Sequence, residues 1–404
     1  MDIPEKIILI IFIILITLFS IGLYYVLSYY DIKPIAISWF VKKEPVKENA
    51  IKEKPAIKPA VDNDIETTET ISIQKLSNPP EIIKAVYITA LSARSQQYQK
   101  YLDNLFETTE INAVVIDIKD YSGQTTISAL DGFVQKLHNK GIYVIARIVI
   151  FQDPTLAKAR PDLAIYDKKK TIDPKNPVLW VDNYNLSWID PASKEAWDYN
   201  ISVAKDAINH GFDELNFDYI RFPSDGKIEE MGFPFWDKKV PMRLIVKEFF
   251  QKLKESLPSV KLSADLFGYS TVSADDMGVG QALEDSFDYF DYISLMVYPS
   301  HYKDGFRGYS NPAEHPYEVI KYSMQEALKK QTAYYNKLQT AEGTTFINKT
   351  KFRPWLQDFN MGADYTAEMV KAEIKAVTDV LGKDFYGFAL WNASNVYTIE
   401  AIAR

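Results

Sequence analysis

From Ile82 to the C-terminus, short apolar runs alternate with amphipathic segments. A period of two inside the runs, and of 3.6 between them, is the signature of βα repetition. The runs predict strands at Ala85–Thr89, Ala113–Ile118, Tyr143–Ile150, Glu214–Tyr219, Lys261–Leu266, Tyr289–Tyr298, Arg353–Asp358 and Tyr386–Trp391. Helices are predicted at Gln96–Thr108, Leu130–Asn139, Ser193–Asn209, Val240–Ser256, Gly280–Ser286, Pro316–Tyr335 and Thr366–Leu381. Eight strands over about 320 residues fit an α/β architecture of the (β/α)8 type, the TIM barrel. A doubly wound sheet would want a glycine-rich turn after the first strand, and Thr89–Ser95 contains no glycine. A long insertion, Asp153–Trp188, separates the third strand from its helix, and loops of that length on a barrel shape the site.

The pattern is most informative at Gly211–Pro223, GFDELNFDYIRFP. Alternation there puts Leu215, Phe217 and Tyr219 on one face and Asn216 and Asp218 on the other. Apolar residues outward and Asn/Asp inward make poor sense in an ordinary sheet. They make good sense in a barrel whose helices cover the outside and whose inward residues at the C-terminal strand ends form the site.

Ahead of the barrel, Ile7–Leu27 is an almost unbroken apolar run. About 21 helical residues span roughly 30 Å, one hydrocarbon core. With Tyr24, Tyr25, Tyr29 and Tyr30 as an aromatic belt, the run predicts a single-pass transmembrane anchor within residues 1–30. Residues 31–81 are rich in Lys, Glu and Pro and read as a disordered linker, leaving residues 82–404 for the barrel. Positive charge is greater after the span (Lys33, Lys42, Lys43) than before it (Lys6), which by the positive-inside rule favours a cytoplasmic C-terminal side. The enzymatic reading below points the other way, and an extracytoplasmic globular domain is the expectation.

Composition narrows the chemistry. A net charge of −8 argues against a nucleic-acid partner. With no cysteine and four histidines, none at metal-ligand spacing, thiol nucleophiles and His-based zinc sites drop out, and no metal or cofactor is expected. Nothing in the sequence sets an oligomeric state.

The same alternation, run on every strand, places polar residues opposite the bulky aliphatics near the C-terminal strand ends. In AVVIDIKD, Asp117 shares a face with Ala113, Val115 and Lys119; in YVIARIVI, Arg147 stands among apolar neighbours; in KLSADLFG, Asp265 shares a face with Ser263. Tyr298, Trp355, Gln357 and Trp391 close later strands. Buried charges need partners, so the set reads as a site rather than as core. Carboxylates with an arginine and aromatic platforms suit glycosidic bond cleavage, which needs one protonated and one ionised carboxyl. Asp218 is the first choice for the ionised role and Asp265 for its partner, with Asp117 and Asp358 as rivals; parity opposite to Gln357 turns Asp358 outward. Arg147, Arg221, Tyr298, His301, Trp355, Gln357 and Trp391 are the expected substrate-binding residues.

The segments AVYITALSA, NAVVIDIKDYSG, GIYVIARIVIFQDPTLAKARPDLAI, WIDPASKEAWDYNISVAKDAINHGFDELNFDYIRFPSDG, SADLFG, ISLMVYPSHY, RPWLQDF and FALWNASNVYT closely resemble the bacterial family named "putative glycosyl hydrolase domain", in the same order from about Lys84 to Tyr397. The resemblance implies a TIM-barrel relative of glycoside hydrolases and brings no substrate. The fourth-strand segment is also similar to the chitinase-type signature, but Ile220 stands where that signature has its catalytic Glu, so a substrate-assisted mechanism is not carried over. The expected function is hydrolysis of a cell-envelope or extracellular polysaccharide through paired carboxylates. The alternative is a catalytically inactive barrel that binds glycan and scaffolds envelope components.

Overall fold

The computed structural model describes residues 74–342 and 350–404. Eight parallel strands close on themselves: β1 (Ile83–Ile88), β2 (Ala113–Lys119), β3 (Tyr143–Val149), β4 (Glu214–Asp218), β5 (Lys261–Phe267), β6 (Tyr292–Met296), β7 (Trp355–Gln357) and β8 (Gly387–Trp391). Neighbours pair in chain order, and β8 returns to β1 with Ile83 opposite Gly387. The seventh strand is the weak seam. Its first piece, Lys351–Phe352, pairs with β6, then Pro354 removes a ladder donor, and β7 joins β6 at Trp355 opposite Met296. The Pro354 carbonyl still accepts from Ala389 N at 2.9 Å, so the barrel stays closed.

Among the described residues, six long helices pack outside: α1 (Gln96–Thr108), α2 (Asp131–Asn139), α3 (Lys194–Asn209), α4 (Met242–Ser256), α5 (Pro316–Glu342) and α6 (Ala367–Leu381). Side-chain caps start several of them: Ser95 accepts from Tyr98 N, Ser193 from Ala196 N and Thr366 from Met369 N. No long helix follows β5. The helix expected at Gly280–Ser286 is a 3-10 turn, Leu283–Ser286, because Gly278 and Gly280 take positive φ just before it.

Alternation divides the core in two. Val86, Ile116, Val144, Leu215 and Phe217 face the helices, while Ala85, Tyr87, Val115, Ile145 and Trp355 fill the barrel. The insertion after β3 forms its own ladder: Tyr166–Asp167 pairs antiparallel with Met231–Gly232 from the loop after β4.

The expected membrane anchor requires correction. Among the described residues no helix is long and apolar enough to cross a membrane. Ile7–Leu27, on which the expectation rested, and most of the expected linker lie outside the described residues. The single-pass anchor, the membrane as a partner and the extracytoplasmic placement that depended on it therefore have no spanning helix among the described residues to support them, and the described fold is a (β/α)8-like barrel.

Candidate active site

The barrel interior is polar in layers. Lowest lies Glu214, which takes both arms of the Arg353 guanidinium, one of them Nη1 to Oε2 at 3.1 Å. Tyr143 Oη donates to the same carboxylate and Tyr292 covers the guanidinium at 4.2 Å. This pair is fully enclosed and plugs the floor, as a buried ion pair can when its hydrogen bonds are met.

Two residues further along β4, Asn216 donates through Nδ2 to Asp265 Oδ1 at 2.7 Å and to Ser263 Oγ at 3.1 Å. Trp355 Nε1 donates to the same Asp265 oxygen at 2.8 Å. At the top, Asp218 ends β4. Its Oδ1 accepts from the next backbone N–H, Tyr219, at 2.6 Å.

Arg147 ties the layers together. Its Nη1 donates to Asp117 Oδ1 and its Nη2 to Asp218 Oδ2, each at 2.5 Å, while Nε stands 3.7 Å from Asp265 Oδ2. Three carboxyls from three strands thus surround one guanidinium, which the rings of Trp391 and Tyr87 cover at 5.3 and 5.7 Å. Burial alone would push Arg147 down; the charges of Asp117 and Asp218 outweigh it and hold Arg147 well above its ordinary value. Asp265 goes the opposite way. Burial, and then the Asp218 charge, push its carboxyl up to about 8 against the pull of Arg147. Burial also raises Asp117, against Arg147 and the hydroxyl of Tyr87.

Above the carboxyls opens a cavity of about 700 Å³. Asp218, Asp265, Arg147, Arg221, Tyr298 and His301 all reach its wall, as do Trp355 and Trp391. Trp391 stacks on Tyr87 at 3.9 Å and meets Trp355 edge-on at 5.7 Å. Burial pushes His301 below its usual value and Tyr298 well above.

Two expected residues are elsewhere. Asp117 sits behind Arg147, with Tyr87 Oη donating to its second oxygen at 2.5 Å, and does not line the cavity. Gln357 is enclosed, accepting from Ser300 N and donating to Phe359 O, so it ties down the loop after β6 instead of facing substrate. Lys119, which alternation aligned with Asp117, is turned away by a register shift between the two; it pairs with Asp153 at 2.8 Å. Asp358 accepts from Thr398 at the start of the last helix.

Other lining residues escaped the sequence reading. Tyr219 should point outward with Leu215 and Phe217, but its φ of +53° ends the strand and swings the ring into the cavity wall. Phe267 was available from parity, sharing a face with Ser263 and Asp265. Gly268 follows it, where an added methyl would run into the Met296 carbonyl, so the wall between β5 and β6 demands glycine. Tyr269 and Tyr302 come from loops, where no periodicity marks them. Among the described residues no cluster of His, Asp and Glu is arranged to hold a metal ion.

A closed parallel barrel with carboxyls and aromatic rings at its C-terminal mouth is a glycoside-hydrolase-like TIM barrel. Residues 85–397 match the family described as "Putative glycosyl hydrolase domain", and the chain belongs to that family. No curated protein matches the chain. Among solved structures, it is similar to a hypothetical protein from Ruminiclostridium thermocellum ATCC 27405, with 35% identity over 48% of this chain and 98% of the other, at a TM-score of 0.38. It is also similar to TtGalA, an alpha-galactosidase from Thermus thermophilus, with 13% identity over 81% of this chain and 61% of the other, at a TM-score of 0.48. A third is the glycoside hydrolase domain of PelA from Pseudomonas aeruginosa, with 11% identity over 78% of this chain and 96% of the other, at a TM-score of 0.41.

Proposed function

We propose that the barrel hydrolyses O-glycosidic bonds of a polysaccharide or oligosaccharide, with Asp218 and Asp265 as the carboxyl pair. The observation that carries this reading is that both carboxyls contact the Arg147 guanidinium at the cavity wall in opposed environments. Asp218 accepts from a cation and a backbone N–H, which suits the ionised nucleophile or base. Asp265 is enclosed, and burial and the Asp218 charge push its carboxyl up to about 8, which suits the acid that protonates the leaving oxygen. A single guanidinium bridges the two carboxyls, with Asp218 on Nη2 and Asp265 beside Nε. Trp391, half-buried at the cavity wall, offers a ring face for a sugar beside the pair. A cell-envelope or extracellular polysaccharide is the proposed substrate.

The test is product release from a panel of envelope and extracellular polysaccharides by the wild type, Asp218→Asn and Asp265→Asn. Loss of a positioned carboxyl should lower kcat/KM by roughly 10²- to 10⁴-fold in either variant. Equal glycan binding by all three proteins, with no product from any, would instead establish a barrel that binds without cleaving.

A further inference from the structure

Arg221 has no part in the carboxyl pair, yet it lines the same cavity and is 7% exposed. Its Nη1 donates to the Phe222 carbonyl at 3.0 Å and to Ser224 Oγ at 3.3 Å, which fixes the guanidinium in place. Among the described residues, no carboxylate lies within ion-pair distance of it and no acceptor meets its Nε or Nη2. Three rings crowd it: Phe267 at 4.7 Å, Trp188 at 4.9 Å and Tyr219 at 5.0 Å. The other enclosed arginines, Arg147 and Arg353, both have carboxylates. An enclosed cation without one is costly unless something arrives to pair with it. Burial accordingly pushes Arg221 below its ordinary value, against the more distant charges of Asp218 and Asp225.

The rest of the lining carries groups of both signs. Arg147 is already held by Asp117 and Asp218, which leaves Arg221 and Lys303 as the lining cations with no carboxylate at ion-pair distance among the described residues.

We propose that Arg221 binds the carboxylate of an acidic sugar, so that the cavity selects a uronic-acid-containing glycan over its neutral counterpart. This rests on the reading of the cavity as the glycan site. A guanidinium hemmed in by rings must be met in its own plane, and a planar carboxylate does so through two parallel hydrogen bonds. Aromatic rings on either side would carry the sugar faces.

The experiment is calorimetric binding of oligosaccharides containing glucuronate, galacturonate or mannuronate. Each is paired with its carboxyl-reduced twin, in which the carboxylate has become a hydroxymethyl group. The wild type should bind at least one acidic member about 10- to 100-fold more tightly than its twin, the range for a hydrogen-bonded charge. Arg221→Gln should erase that preference while holding affinity for the reduced twin, and Arg221→Lys, which keeps charge but not the fork, should fall between. Equal binding of every pair by the wild type, no binding of any acidic member, or equal losses for both twins in Arg221→Gln would each overturn the proposal. The wild-type pairs decide the question even if Arg221→Gln does not fold. Product release is scored separately. Preference without product sinks the hydrolytic reading alone, whereas cleavage of neutral glycans without preference sinks this one alone.

Discussion

Arg147 donates to Asp218 from β3 to β4 at 2.5 Å, and the opposite arm of the same guanidinium holds Asp117 on β2. Two carboxylates from different strands therefore depend on one cation for their compensation. Arg147→Gln should destabilise the barrel by about 3–5 kcal/mol, the cost of leaving buried charge without its partner. The loss should shrink in acid, where the orphaned carboxyls take up protons. Urea unfolding of the variant and wild type across pH measures both effects, and a pH-independent deficit would contradict the charge argument.

Asp265 makes stability depend on pH in a definite direction. Its folded value, about 8, lies above the ordinary 3.8, so the folded state binds a proton that the unfolded chain has released. That contribution is fully present below about pH 4 and is lost as pH rises through about 8. Relative to Asp265→Asn, the wild type should lose stability between those limits. Parallel curves for the two proteins over that window would show that Asp265 is not protonated in the fold.

Trp355 tunes the same proton. Its indole N–H favours the ionised form of Asp265, so Trp355→Phe should raise the Asp265 pKa further. If Asp265 is the general acid, activity of the wild type declines on the alkaline side near pH 8, and the decline should move to higher pH in Trp355→Phe. A shift to lower pH would reverse the assigned role of that hydrogen bond.

The floor of the barrel separates stability from chemistry. Glu214→Gln leaves the Arg353 charge enclosed without its carboxylate and should cost about 3–5 kcal/mol in unfolding experiments. The cavity lining does not include either residue, so KM for a cleaved glycan should stay within about twofold of wild type at a temperature where the variant is folded. A large change in KM would mean the floor is coupled to the mouth.

Gly268 tests the wall. Gly268→Ala pushes a methyl into the Met296 backbone, which cannot yield as a side-chain tip would. A loss of about 1–3 kcal/mol is expected, with weakened glycan binding as β5 and β6 part at the cavity. Unchanged stability would show that the strand ends tolerate separation.

Much of this was readable along the chain because alternation and helical period are local. Strands such as Ala113–Lys119 and helices such as Gln96–Thr108 lie where spacing puts them. Parity also found which face of β4 and β5 carries Asp218 and Asp265. It failed where one residue breaks the ladder: at Tyr219, whose positive φ redirects the ring, and at Lys119, which a register shift turns aside. Tyr302 and Tyr269 belong to loops, whose side chains are placed by contacts distant in sequence.

By itself, then, the sequence determined the number of strands, the inward placement of their polar residues and the absence of thiol chemistry. Tertiary structure alone decided which polar residues meet. Barrel closure brings β2, β3, β4 and β5 to one mouth, where Arg147 is long enough to reach three carboxyls, and enclosure then pushes the Asp265 carboxyl up at the cavity wall while Asp117 sits behind Arg147. Burial and distance between strands set those differences, and neither quantity exists until the sheet has closed.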